Sequence, residues 1–378
     1  MRHTSRQLSS RQTLSRWSGH GSLSTVSTEQ SENGPMNADS ATSLRHVAEL
    51  AGVSVATASR VMSGSSHPVS EPTRQRVLSA ADRLAFQPNR LARALVTAKS
   101  ETVGVIVHDI SDPYFGEMVK GLEDGLHTDD YRLFVASSDR DPGKELDYVR
   151  AFHAHQVDAI VFAATSLREP EYTKTLGDLA ERFRSRGGIL VMLSDHVLEG
   201  PKVHFDNRRA IADMVGYLHE KGHRRIGYIG GPDELVVSTT RREAFLSAAG
   251  QLGLTVPPEW ITSGGFTFAG GSEAMAHLLE AGDMTAVLAA NDLMAIGAMR
   301  QLLSRGISVP DDVSVAGFDD ILIAEYAPVP LTTMRVPTYE IGNLGASLVL
   351  GALRGDDPPD ITVEGEIVER ESVADIRR

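Results

Sequence analysis

Cysteine is absent from all 378 residues. No disulfide framework and no thiolate metal site can form, which suits a reducing compartment. No uninterrupted apolar run approaches the roughly 18 residues of a membrane span. The opening stretch MRHTSRQLSSRQTLSRWSGHGSLSTVSTEQSENGP lacks the apolar centre of a signal peptide. Its arginines suggest a transit peptide, but Glu29, Glu32 and Asp39 count against one. The expectation is a soluble, cytoplasmic protein with no membrane partner. Two enzyme signatures are missing as well: there is no G-x-S-x-G nucleophile elbow and no G-x-x-x-x-G-K-[ST] phosphate loop. The last absence is local. The chain holds 50 acidic against 37 basic residues, a net charge of −13, yet no Asp or Glu lies between Ala51 and Ser70.

Charge and composition divide the chain. Residues 1–40 are rich in Ser, Thr, Gly and Asn; they cannot bury enough apolar surface to offset chain entropy and are expected to be disordered. Residues 41–100 hold eight Lys and Arg against three acids, so the acidic excess sits in the remainder. A basic module joined to an acidic body points to a partner that the body would repel, most simply nucleic acid.

Within 41–88 the pattern predicts three short helices. Ser43 can cap the first, Leu44 to Ala51, and Gly52 stands where a helix stops and turns. Ser54 can cap the second, Val55 to Met62, with Ala58, Val61 and Met62 inward. Ser70 can cap the third, Glu71 to about Leu84, burying Val77, Leu78, Ala81 and Leu84. Helix, turn and second helix make a helix-turn-helix, whose second helix enters the DNA major groove. That accounts for the missing acids, which phosphate would repel. Ser54 and Thr57 can reach phosphates, Val55 and Ala56 can read thymine methyls, and Arg60 can grip guanine with two hydrogen bonds. Val55, Ala56, Ser59 and Arg60 share the outward face.

From residue 101, apolar runs (102–107, 132–137, 158–163, 188–193, 225–230, 286–290, 313–318) alternate with helical patterns such as Glu117–Leu126, Lys144–His155, Ile211–Glu220 and Leu293–Ser304. Such alternation predicts parallel sheets covered on both faces. Seven or more units suggest two doubly wound subdomains, with ligands at the carboxyl ends of the strands.

LRHVAELAGVSVATASRVMSG and VSEPTRQRVLSAADRLAFQPNRLARAL, followed by DISDPYF, AANDLMAIGAMRQLLSRGISVPDDVSVAGFDD and PLTTMRVPTYEIG, resemble the lactose/galactose repressor family. The resemblance spans nearly all of 43–374. It implies an N-terminal all-α headpiece and a periplasmic-binding-protein-like α/β core, acting as an effector-controlled, dimeric repressor that needs no cofactor and catalyses nothing. The implied order is a disordered extension (1–40), the helix-turn-helix domain (41–87), a hinge (88–100) and the core (101–378). The core's two lobes are expected at 101–205 with 336–363 and at 206–335 with 364–378.

The resemblance also carries site residues. In the hinge PNRLARAL the matching minor-groove wedge is Leu95, with Ala92 one turn earlier on the same face; Arg90 and Arg93 suit nearby phosphates. His67, Thr73 and Asn89 complete the DNA-facing set. The expected partner is a pseudo-palindromic duplex operator read by a homodimer. The effector positions carried over are Asp112, Tyr114, Phe115, Asp195, Arg241, Phe266, Asn291 and Asp319, with Arg241 expected at a helix start. Carboxylates, an amide and one arginine beside aromatic faces suit a sugar-like ligand or a nucleoside better than a phosphorylated or strongly anionic one. Three departures stand out: Ala58 replaces a usual valine, Pro68 resembles an insertion, and Val336 replaces a usual glutamine.

Two readings compete. A transport solute-binding protein would share the core but needs a signal peptide and has no basic headpiece. HEKGH (219–223) is a literal H-E-x-x-H, but Gly222 predicts that the helix ends at Lys221 or Gly222, so His223 leaves its face and cannot pair with His219 on zinc.

Overall fold

A computed structural model describes residues 43–62, 67–86 and 99–377. They fall into two units, divided between Pro88 and Asn89. In the first, α1 (Leu44–Ala51), α2 (Val55–Met62) and α3 (Glu71–Arg83) occupy the predicted stretches. Gly52, at φ 62°, takes the left-handed conformation that ends α1 and turns the chain. Val47, Ala48, Ala51, Ala58, Val61, Val77, Ala80 and Ala81 form a small core of their own. Two expectations are corrected. Leu78 is 42% exposed and Ala80 takes the buried position, because the core-facing stripe of α3 runs through 77, 80, 81 and 84. Ser70 precedes α3, but its hydroxyl donates to Thr73 Oγ1 (2.9 Å) rather than accepting from the helix backbone.

The second unit has two lobes. One is a parallel sheet in the order β2-β1-β3-β4: β1 (Thr102–Val107), β2 (Arg132–Ser137), β3 (Ala159–Phe162) and β4 (Ile189–Met192). Val105 pairs with Val135 on one side and Val161 on the other. Helices α4 (Pro113–His127), α5 (Pro142–Ala154) and α6 (Pro170–Ser185) connect these strands. Each opens on a proline at a position whose N–H has no helical partner. That is why α4 starts four residues before the predicted Glu117.

The chain then leaves through β5 (Val203–Phe205) and builds α7 (Asn207–Glu220), β6 (Ile226–Gly230), α8 (Val236–Gln251), β7 (Ile261–Ser263), α9 (Phe268–Ala281), β8 (Ala286–Ala289), α10 (Asp292–Ser304), β9 (Ser314–Asp319) and β10 (Thr332–Arg335). It returns to the first lobe as α11 (Thr338–Arg354), which packs on α4, and comes back through β11 (Ile361–Val363) and β12 (Glu366–Val368). The second sheet is ordered β12-β10-β9-β8-β6-β7, parallel except for β12. The outgoing β5 and returning β11 pair as a two-stranded sheet of their own. The lobes are thus joined by three crossings, after β5, after β10 and after β11. The short strands β5, β7, β10, β11 and β12 went unread in the sequence.

At the end of α7 the chain caps at Lys221. His223 is buried; its Nδ1 meets Thr285 Oγ1 at 3.0 Å and its Nε2 the Ala374 carbonyl at 3.2 Å. Both ring nitrogens tie the helix end to the sheet, so H-E-x-x-H here is a turn anchor.

Candidate functional site

In the headpiece, Ser54 Oγ accepts from the Thr57 backbone N–H (3.1 Å) and lies 2.8 Å from its hydroxyl. The pair caps α2 while leaving both residues at the helix end that would face DNA. Val55, Ala56, Ser59 and Arg60 are exposed on one face, opposite buried Ala58 and Val61; Val55 is 48% exposed although apolar. His67 is exposed and Thr73 half-buried. Asn89, Arg90, Ala92, Arg93 and Leu95 lie outside the described residues.

In the core, all eight effector candidates line one cavity of about 660 Å³, its open mouth included. The first lobe contributes Asp112, Tyr114, Phe115 and Asp195, after β1 and β4; the second contributes Arg241, Phe266, Asn291 and Asp319. Parallel strands bring their carboxyl ends to one edge of each sheet, and the three crossings set those edges face to face.

Asp112 caps α4, accepting from the Tyr114 N–H at 3.1 Å. Burial raises its pKa, partly opposed by that hydrogen bond. The Tyr114 and Phe115 rings meet edge to face at 5.1 Å, and burial holds the Tyr114 phenol protonated. Asp195 pairs with His204 Nδ1 at 2.7 Å, and that bond raises the imidazole's pKa. Asn291 caps α10 through Met294 N–H (2.9 Å), leaving its amide nitrogen near the Phe266 carbonyl at 3.4 Å. Phe266 itself has φ 58°.

Arg241 departs from expectation: it sits over a turn inside α8, not at its start. It is buried, and two of its three nitrogens are held by the protein. Its Nε donates to Asn207 Oδ1 (2.8 Å), its Nη1 to the Ala290 carbonyl (2.5 Å), and its guanidinium lies 3.9 Å from the centre of the Phe318 ring. Asp319 Oδ1 is 3.7 Å from Arg241 Nη1, a charge neighbour without a hydrogen bond. That oxygen is buried with no hydrogen-bond partner. Burial drives the Asp319 pKa well up, with Arg241 opposing. An unsatisfied buried polar atom costs roughly 1–3 kcal/mol.

His108, Arg140 and Asn207 also line the cavity and were missed in the sequence. Each stands just beyond a strand, at the carboxyl ends of β1, β2 and β5. That position was the available signal; the residue types alone gave none.

A small helical head with an acid-free outward helix, joined in sequence to a two-lobed body whose cleft lies at the strand ends, defines a ligand-responsive DNA-binding regulator. The chain belongs to the lacI family of bacterial regulatory proteins: that family's pattern matches residues 43–89, and a periplasmic binding protein-like domain matches 215–373. It is 34% identical to the HTH-type transcriptional repressor CytR of Escherichia coli (strain K12) over 84% of this chain and 91% of that one. It is 35% identical to the HTH-type transcriptional regulator GalR of the same strain, over 88% and 95%. Among solved structures, the transcriptional regulator CelR–cellobiose complex superposes with a TM-score of 0.64 at 30% identity, covering 88% of this chain and 99% of that one. The lac repressor dimer bound to operator and the anti-inducer ONPF shares the fold, with a TM-score of 0.77 at 24% identity over 88% and 99%.

Proposed function

We propose that the protein is a cytoplasmic, non-catalytic transcriptional repressor that binds a pseudo-palindromic operator as a homodimer, with a sugar-like or nucleoside effector in the core cleft. Ser54 and Thr57 contact phosphate; Val55, Ala56, Ser59 and Arg60 face base edges; His67, Thr73 and Asn89 add contacts at the rim. In the hinge between headpiece (41–87) and core (101–378), Leu95, with Ala92 on the same face, enters the minor groove, and Arg90 contacts nearby phosphate. Effector binding closes one lobe on the other, and the lobe following the hinge carries that movement to the paired hinges.

One observation supports this most: eight side chains chosen from the sequence face a single cavity at the strand ends of both sheets. Arg241, Asn291 and the three carboxylates supply donors and acceptors for hydroxyls, and the aromatic faces suit the apolar side of a ring.

The test has two arms. Selection from random duplexes with the full-length protein should enrich a two-fold symmetric site, and Arg60→Ala should cost roughly 10- to 100-fold at one base pair of each half-site. A panel of sugars and nucleosides should then contain a compound that changes affinity for that site at fixed salt. Enrichment of no symmetric site would remove the reading.

A further inference from the structure

Four residues that line the cleft carry a buried polar atom with no hydrogen-bond partner among the described residues: Asp319 Oδ1, His108 Nε2, Arg140 Nε and Ser194 Oγ. Asp319 already belongs to the reading above. Arg140 does not, and it changes the charge of the cleft. Among the described residues no carboxylate lies within ion-pair distance of its guanidinium. The acids around it are committed elsewhere: Asp109 accepts from Ser111, Asp112 from the Tyr114 N–H, and Asp139 from Lys144 Nζ at 2.6 Å. Across the cleft, the Phe266 ring centre is 5.8 Å from the guanidinium.

The backbone brings this arginine to the cleft. After β2, Ser138 N–H donates to the Val107 carbonyl (2.9 Å) and Asp139 N–H to the His108 carbonyl (2.6 Å). The loop is stitched to the end of β1, and φ is positive at both Asp139 (54°) and Arg140 (60°). Arg140 and His108 therefore stand side by side at the ends of neighbouring strands. The Thr165 backbone takes the other nitrogen of the His108 ring, and burial with the Arg140 charge keeps the ring neutral, its pKa lowered to about 4. A neutral ring that donates from Nδ1 presents Nε2 as a bare acceptor. The pair is thus a planar cationic donor next to an acceptor.

We propose that the effector is a sugar acid: its carboxylate is held by Arg140, and the hydroxyl on the neighbouring carbon donates to His108 Nε2. This rests on the effector reading above and names the ligand class of that cleft. Guanidinium and carboxylate match as planar partners. A doubly charged phosphate suits the site less, because Arg140 brings a single positive charge and Asp195 lines the same cavity. The sugar ring then runs along the row of strand ends toward Asp195.

Calorimetric titration of the full-length protein tests the assignment, with D-gluconate, D-glucuronate and D-galacturonate against D-glucose, D-galactose, cytidine and glucose 6-phosphate at constant ionic strength. At least one acid should bind tenfold or more tightly than its neutral parent, on the order expected for a charge-assisted hydrogen-bond pair. Arg140→Gln should erase that preference and Arg140→Lys should restore part of it. A cooperative thermal transition for each variant shows that it is folded. If a neutral sugar, the nucleoside or the phosphate is preferred, or if Arg140→Gln leaves a preference for acid intact, the carboxylate assignment is wrong while the effector reading stands. A folded protein that binds none of the panel overturns both.

Discussion

Among single residues, Asp292 gives this core a pH-sensitive point. It is fully buried behind the cleft; Oδ1 accepts from the Thr333 hydroxyl (2.6 Å) and Oδ2 from the Ile321 N–H (2.9 Å). Burial outweighs both bonds and raises its pKa to about 7, in the same direction as neighbouring Asp319. Between the ordinary carboxylate pKa near 3.8 and about 7, the folded protein holds a proton that the unfolded chain has released. The stability this group contributes is therefore full below about pH 4 and lost as pH rises through 7. The melting temperature of the native protein relative to Asp292→Asn should fall from pH 5 to about pH 7 and level off above it. A difference independent of pH would show that Asp292 is already ionised in the fold. At this scale the sequence was informative about residue type and silent about partners: Asp292 adjoins Asn291, yet Asn291 lines the cleft and Asp292 lies in the core.

At the scale of elements, the lobes depend on close helix packing as much as on their sheets. Gly121 of α4 lies against the Tyr339 carbonyl of α11, and Gly342 of α11 against the Met118 carbonyl of α4. A Cβ at either position would collide with backbone, which cannot swing aside. Gly121→Val should lower unfolding free energy by roughly 1–3 kcal/mol or more, read as a reduced urea midpoint. Gly116 of α4 has open space where its Cβ would be, so Gly116→Ala should not lower that midpoint and serves as the control. The helix-turn-helix was legible to the residue because its rules are local: a cap at Ser54, a stop at Gly52 and one apolar stripe. The short strands were not, since three or four residues carry no period of their own and become strands only by pairing with a neighbour already in place.

For the whole molecule, a basic head is joined in one chain to an acidic body. Any effector that changes operator affinity by some factor must have its own affinity changed by the same factor when operator is bound. Titrating effector into free protein and into protein saturated with its selected duplex should give that equality at a given salt concentration; unequal factors would mean that binding is not a simple linked equilibrium. Operator affinity should also fall linearly on a log–log plot against salt, with a slope set by the phosphates neutralised. The sequence by itself determined the order of modules, the alternation of strand and helix and the outward face of α2, because periodicity and caps are short-range features that a linear reading can follow; the eight cleft candidates came instead from the resemblance to a known family. Tertiary structure alone decided that Arg241 is engaged by Asn207 and Ala290, that Arg140 stands without an ion partner beside His108, and that Asp292 is sealed from water. Those outcomes depend on which groups the strand order of each sheet and the loops at its strand ends bring within a few ångströms, and burial and Coulomb energy are set by that distance rather than by position along the sequence.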